Sequence, residues 1–556
     1  MTPPLGRRDA LALVALLLLA AALPLAMAAA AGAVGVPSND DWIYELGAAG
    51  LYGSGSAAMP GHTAAAVGQL ALVQPLLWLS GGASWAYTAF GLLAGALGVG
   101  AAYLLARWSG LGPGAGALAG LLLVACPGFA RETATFMTDV PALSLELLSL
   151  LLGAVWLRGG RRSALAASLA VGVLGVTVRE FAIAAPAAVL VVSWARSRPA
   201  GRPLLLAAFA LTAAAVLTVL TLLGSPAVHG GIGAPAAFRL YLMGPALVTL
   251  AAFLLPALLL AIGRRLATIR PFHLVYGLVL VGLAFAIPTL DPLVGQMWMA
   301  NGLVGDGLRM GPRDRVIPQL AWTLSLALAV AAAVLLATLT VRWAGRRLAG
   351  VGTLPAAWVR FAGIFQGPMA LLLVFAVGYA AEIAVYVSMA AYPLDRYLWP
   401  MAPVLAVILL RDVGGDRSPR WSRVLGGGAL AWLGASALLI AANSFAYDAA
   451  RWRAGEAAVA MGYVPETVDA GYEWVGYHTG GRPVTPPPSY GVTWYDDGYL
   501  PAAPCAFVSN GPLQIAGYRL VRVDQTPYRQ YLLAGPFEPL YLYGAESAAC
   551  PVPPTP

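Results

Sequence analysis

Lysine is absent from this chain of 556 residues, cysteine occurs three times, histidine four times, and all charged residues together make up 10%. So little charge excludes an ordinary soluble globular domain. With hydrophobic residues at 60% and a mean hydropathy of +0.76, the composition is that of an integral membrane protein. Four histidines and three cysteines argue against a soft-metal cluster. There is no P-loop, no G-x-G-x-x-G after a strand, no H-E-x-x-H and no paired C-x-x-C, so none of the chemistries those motifs serve has support. The missing lysines leave arginine as the only strong cation, which, beside so much Ala, Gly and Pro, speaks of codon usage and not of function. A sequence pI of 9.4 does not imply nucleic acid, because the arginines sit in short loops between apolar runs.

Apolar runs of about 17–25 residues are candidates for spanning helices. They fall at 10–31, 84–106, 114–130, 138–157, 163–178, 180–195, 203–224, 240–263, 273–289, 318–343, 361–388, 396–411 and 424–442, about thirteen in all. The first follows Arg7 and Arg8 and is read as a retained helix in preference to a signal peptide, since it is long and other helices follow closely. Arginines cluster in every second loop: after 106, 157, 195, 263, 343 and 411. The positive-inside bias then places the N-terminus in the cytoplasm and everything after about 443 outside. The Gly-rich stretch at 91–100 lies in an apolar run, where small residues let helices pack closely.

The outer side collects the unusual polar residues. The first outer loop, 32–83, carries the adjacent Asp40 and Asp41, then Glu45 and His62, with Trp42, Ile43, Leu46 and Leu51 pointing to short helices in the interface. The next segments hold Arg131, Glu132 and Asp139 in RETATFMTDVP, then Arg179 and Glu180 in TVREFA. Asp291, Asp306, Arg309, Arg313, Asp314 and Arg315 follow at 290–317, and Asp395, Arg396 and Tyr397 lie in AYPLDRYLWPMAP. Ionisable groups at helix ends are costly unless they face a cavity or each other. Five outer segments bearing both signs of charge therefore suit a site that opens outward near the membrane surface. The alternative for each is local: a solvated acidic loop at Asp40 and Asp41, an ion pair of Arg396 with Asp395, a helix-end pair of Arg179 with Glu180, and an interfacial side chain for His62.

The acidic pair after the first helix, TDVP at 138–141, Arg179-Glu180 and DRYLWPMAP at 395–403 resemble the GT-C superfamily. More narrowly, they resemble the protein O-mannosyltransferase and lipid A aminoarabinose transferase group, over about residues 1–445. The resemblance implies an α-helical polytopic fold and sugar transfer from a polyprenyl-phosphate donor to an acceptor outside the cytoplasm. The first loop departs from the group's usual Asp-Glu pair, so the match to Asp40 or to Asp41 stays open. Such a transfer needs a carboxylate to take the proton of the attacking hydroxyl, the task given to Asp40 or Asp41. Asp139 is the second carboxylate, to orient the acceptor, tune the first group or hold a divalent cation with Asp41. The departing phosphate needs a guanidinium, Arg396 or Arg179. Glu132, Glu180, Asp395, Tyr397 and His62 are assigned supporting places.

Residues 1–442 are thus expected to form the catalytic membrane domain. The tail, 443–556, is rich in Tyr and Pro with strand-like runs near 506–508, 518–523 and 540–543, and reads as a small α/β domain on the outer mouth of the bundle. Its Trp474, Tyr477, Trp494 and Tyr495 either stack on sugar rings or form core. Cys505 and Cys550 share the outward tail, where disulfides persist, and are expected to bond; two free thiols are the alternative. The partners expected are the lipid bilayer, the donor lipid and a glycan, lipid or protein acceptor, and no nucleic acid. A transporter or flippase of a lipid-linked or small polar substrate is the main rival, but it would carry mid-membrane charges and inverted repeats, and no convincing repeat is present. A scaffold displaying the tail gives no reason for charge in so many outer loops.

The Arg pattern makes a direct prediction. In a background without native cysteines, an impermeant thiol reagent labels Gly55→Cys and Gly480→Cys from outside and Arg161→Cys only after permeabilisation. Outside labelling of Arg161→Cys would invert the topology.

Overall fold

The computed structural model describes residues 5–56, 59, 66–197, 209–210, 212–213, 243–263, 265–284, 293–295, 297–301, 315–348, 367–389, 393–412, 418–482, 499–500, 502–523, 528–531, 534–547 and 550. Among these, seven helices are long and apolar enough to cross a bilayer. They are Arg7–Ala31, Trp85–Trp108, Asp139–Gly159, Met243–Gly263, Gln319–Arg346, Pro368–Ser388 and Arg420–Ala460. Shorter apolar helices at Pro113–Ala125, Arg162–Val178, Ala184–Arg196, Pro271–Ala284 and Met401–Asp412 occupy other runs named from the sequence. Most of the run at 203–224 lies outside the described residues.

Small residues set the packing that later positions the site. In the helix Trp85–Trp108, a Cβ on Gly91 would lie 2.5 Å from the carbonyl oxygens of Thr133 and Thr135. Only glycine allows this helix to press against the 129–139 segment. Ser144 Oγ donates to Ala94 O at 2.6 Å along the same seam. The next seam, between Asp139–Gly159 and Arg162–Val178, is joined by reciprocal bonds from Ser149 Oγ to Ser168 O at 2.9 Å and from Ser168 Oγ to Ser149 O at 2.7 Å. Hydroxyls tied in this way hold apolar helices together where lipid and side chain are equally greasy.

Two helices, Asp41–Ser54 and Val67–Ser80, lie in the loop 32–83. The sequence pattern placed Trp42 and Ile43 at a membrane interface. Both are fully buried in protein, and the Trp42 ring meets Tyr472 at 5.6 Å and Tyr499 at 5.7 Å. The tail supplies the apolar cover that the sequence pattern assigned to lipid.

The last apolar run does not stop at 442. The helix Arg420–Ala460 is continuous for 41 residues, and position 443 falls inside it. Its Ala-rich C-terminal half runs through Gly455, which packs on Trp474, and ends before Gly462, which takes a φ of +103°. Ala446, Tyr447, Ala450, Ala454 and Ala458 on that half form one core with tail residues Trp474, Ala506 and Leu542. The helix is therefore a strut shared by bundle and tail.

The tail carries a four-stranded sheet and a two-stranded ribbon. The strands are β1 (Val468–Asp469), β2 (Ala506–Ser509), β3 (Tyr518–Val523), β4 (Tyr528–Tyr531), β5 (Ala534–Glu538) and β6 (Tyr541–Ala545). The sheet order is β1-β2-β6-β3, with β1 parallel to β2 and the other pairs antiparallel, and β4 pairs with β5. With the helix Tyr472–Thr479 this is a small α/β unit. Cys505, at the entry to β2, is bonded to Cys550 beyond β6, their Cα atoms 5.4 Å apart. In the chain-entropy picture a closed loop of 45 residues is stabilised by about 4 kcal/mol. Cys126 is a buried free thiol.

Candidate functional site

Four of the charged segments named from the sequence enter the site through a local break in helix geometry. Asn39 takes a φ of +56°, a conformation its short polar side chain tolerates, and turns the chain so that Asp40 caps and Asp41 opens the helix Asp41–Ser54. Asp139 is the first residue of its helix, where a carboxylate faces the positive end of the dipole. Arg179 ends the helix Arg162–Val178 in extended backbone, φ −153° and ψ 135°, before a 3₁₀ turn at Glu180–Ile183. Arg396 sits in the 3₁₀ turn Asp395–Leu398 that precedes Met401–Asp412.

These breaks bring two guanidinium groups onto one carboxylate. Arg179 Nη1 donates to Asp139 Oδ2 at 2.9 Å and to Thr138 Oγ1 at 2.7 Å. Arg396 Nε lies 3.4 Å from Asp139 Oδ1. All three side chains are at least nine-tenths buried. Tyr397 lies between the cations, its ring centroid 4.9 Å from the Arg179 guanidinium carbon and 5.7 Å from that of Arg396. Burial alone would favour neutral arginines, but Asp139, Tyr397 and, for Arg396, also Glu132 and Asp40 outweigh it and hold both pKa values above the ordinary one. Arg396 Nε and Nη1 are buried without a hydrogen-bond partner among the described residues. An unmet buried donor on a charged group is costly, so this guanidinium is poised to take an anion.

Asp40 and Asp41 part company in the fold. Asp40 is half-buried, accepts a hydrogen bond from Tyr472 OH at 3.1 Å, and contributes to the field at Arg396. Asp41 is 1% exposed, and its Oδ1 accepts from the Ser38 backbone N–H. Burial, then repulsion from Glu45 one helical turn on, holds its carboxyl well above the usual range. Glu45 is raised in the same way by burial. Asp41 is thus enclosed by protein, whereas Asp40 is the more exposed of the two.

A second ion cluster braces the loop behind Asp40. Arg131 bonds Glu132 Oε1 at 3.0 Å, Asp448 Oδ2 at 3.2 Å and Ser38 Oγ, while Ser38 Oγ donates to Asp448 at 2.6 Å. The Asn39 backbone N–H donates to Glu473 Oε1 at 2.9 Å. Glu132 is fully buried and raised by that burial, in spite of Arg131 and Arg396 nearby.

Other expected site residues are placed elsewhere. Asp395 does not pair with the Arg396 side chain. It accepts backbone N–H groups of Trp298 at 2.6 Å, Met297 at 3.0 Å and Arg396 at 2.8 Å, and burial pushes its carboxyl up to about 7. It anchors the 297–298 segment to the turn that carries Arg396. Glu180 is partly exposed and has no ion-pair partner among the described residues; the partner of Arg179 is Asp139. Both oxygens of Asp139 face guanidinium groups, an arrangement unsuited to a shared cation with Asp41, and no group of three His, Cys, Asp or Glu suited to a metal occurs among the described residues. Trp474 is buried in the tail core with its Nε1 donating to Pro465 O at 3.1 Å, which settles it as core. His62, Trp494, Tyr495 and the charges Asp291, Asp306, Arg309, Arg313 and Asp314 lie outside the described residues. The acidic, aromatic stretch 462–478 is the one sequence signal for Tyr472 and Glu473, and Asp448 has none.

No protein-family model matches the chain, and no curated protein matches it. Two solved structures do: ArnT from Cupriavidus metallidurans bound to undecaprenyl phosphate, and the same protein in the apo state. The first is 14% identical, covers 96% of this chain and 99% of its own, and has a TM-score of 0.41. The second is 15% identical, covers 82% and 83%, and has a TM-score of 0.40. At these identities and TM-scores the likeness assigns no residue a role.

The Asp41–Glu45 pair has a pH signature. In the unfolded chain both titrate in the ordinary carboxylate range, whereas the fold favours their neutral forms. Stability is then lost as pH rises from that range through the raised folded values. Glu45→Gln is expected to melt above the parent at about pH 9 and to converge with it near about pH 4. A constant difference across this range would show that Glu45 is not the titrating group.

Proposed function

We propose that the protein transfers a sugar from a polyprenyl-phosphate donor to an acceptor hydroxyl on the extracytoplasmic side, by single displacement with inversion. The observation that carries this reading is the buried Arg396 guanidinium, with two N–H donors unmet among the described residues and held above a carboxylate it only partly engages. It suits a lipid phosphate better than a neutral ligand. Asp40, half-open and within the field of Arg396, takes the base role. The acceptor oxygen attacks the anomeric carbon as its proton passes to Asp40. The bond from that carbon to the phosphate oxygen breaks, and its electron pair leaves on the phosphate beside Arg396. Arg179 and Asp139 act behind Arg396, fixing its plane and charge. Tyr472 orients Asp40 through its hydroxyl.

Turnover of a panel of radiolabelled polyprenyl-phosphate sugars with membrane extract tests the assignment. Asp40→Asn is expected to lower turnover by about 10²–10⁴ with the protein folded. Arg396→Lys retains the charge but loses the planar fork, and is expected to raise the donor concentration needed more than it changes acceptor use. Near-parent turnover in Asp40→Asn, or unchanged donor dependence in Arg396→Lys, would remove the corresponding role.

A further inference from the structure

The end of the bundle opposite Asp40 holds a second built feature. The helices that begin at Arg7, Pro113 and Arg420 start there, and Met243–Gly263 and Met401–Asp412 finish there. Between these ends lies a cleft of about 950 Å³, at the upper end of the range of about 300–1,000 Å³ usual for ligand sites. Its walls are apolar, built by Leu118, Leu121, Pro256, Leu260, Leu410 and Leu430. Gly112, Gly114, Gly426 and Gly427 also line it. A Cβ on Gly112, Gly114 or Gly427 would meet nothing within 4 Å.

Charge gathers only at the mouth. Arg8, in the first turn of one helix, and Arg423, in the first turn of another, line the cleft, are exposed, and have no ion pair with a described residue. The neighbouring carboxylate, Asp9, is turned away and fully engaged by Arg107 at 2.6 Å, Tyr103 OH at 2.6 Å and the Gly6 N–H at 3.0 Å. Gly112 and Gly114 bring the start of a third helix to the same mouth. The two guanidiniums, which pair with no described residue, make the mouth positive; three helix starts against two helix ends add little to this. Trp421, Val424 and Leu425 beside it are 42%, 65% and 52% exposed, an apolar exterior with an aromatic at its edge, as at a membrane surface.

We propose that this cleft binds an anionic phospholipid, with the phosphate between Arg8 and Arg423 and an acyl chain along the leucine-lined walls. A free phosphate or a nucleotide would use the mouth but leave a greasy cleft unfilled. A zwitterionic lipid would bring its own cation to the two arginines. Guanidinium groups match phosphate oxygens in a planar fork, and the chain gains from leaving water or a looser lipid shell. The site lies at the other end of the bundle from Asp40 and Arg396 and does not depend on the transfer reaction.

Native mass spectrometry and thermal melting of the full chain in detergent, with phosphatidylglycerol, phosphatidylcholine or inorganic phosphate added, test the proposal. Phosphatidylglycerol is expected to stay bound and raise the melting temperature, and the other two to do neither. Arg8→Ala with Arg423→Ala should lower phosphatidylglycerol retention at least about tenfold, while Arg8→Lys with Arg423→Lys keeps most of it. Gly427→Leu fills the cleft with both arginines intact and should lose retention as well. Retention unchanged in the double alanine variant or in Gly427→Leu would overturn the proposal. So would an equal thermal shift from inorganic phosphate, which would mark a small-anion site.

Discussion

Asp139 held between Arg179 and Arg396 is the contact on which the Asp40 end of this molecule turns. A carboxylate and two guanidiniums taken out of water are costly unless they satisfy one another. Arg179 is met at both Thr138 and Asp139, whereas Arg396 is met only partly. The three residues come from three separate helix ends, so their attraction fixes the relative depth of those ends. The Trp85–Trp108 glycines and the Ser149–Ser168 exchange hold the same helices from within the bundle. The site is therefore a consequence of packing, and among the described residues Arg396 keeps two nitrogens without a hydrogen-bond partner.

The tail is part of this site. The 41-residue helix Arg420–Ala460 carries Asp448 to the Arg131–Ser38 cluster and shares a core with the sheet. The tail helix then lays Tyr472 and Glu473 against Asn39 and Asp40. Trp42, fully buried under Tyr472 and Tyr499, fastens the two. A loop that looked interfacial in sequence is thus a joint between bundle and tail, and Asp40 accepts a hydrogen bond from a residue 432 positions later.

Much of the architecture was legible in the sequence because it follows from local physics. Apolar run length found the helices, and the small residues at 91–100 announced a close seam. The start of the Asp139 helix was marked by its Thr-Asp. Legibility failed where the outcome depends on what covers a segment. Asp40 and Asp41 are chemically identical neighbours, and only the fold buries one and opens the other. Adjacent Asp395 and Arg396 read as a pair, yet Asp395 turns to backbone N–H groups at 297–298 while Arg396 turns to Asp139. The strut ran past 442 because hydropathy falls there while helix propensity does not.

The central claim is that Arg396 is the phosphate-binding group and Asp40 the base, two roles separable by a ligand that has a phosphate and no sugar. Equilibrium binding of a short-chain polyprenyl phosphate to the parent, Arg396→Ala and Asp40→Asn measures this directly. Binding is expected to be at least about tenfold weaker in Arg396→Ala, about 1.4 kcal/mol or more, and parent-like in Asp40→Asn. Parent-like binding in Arg396→Ala would contradict the claim.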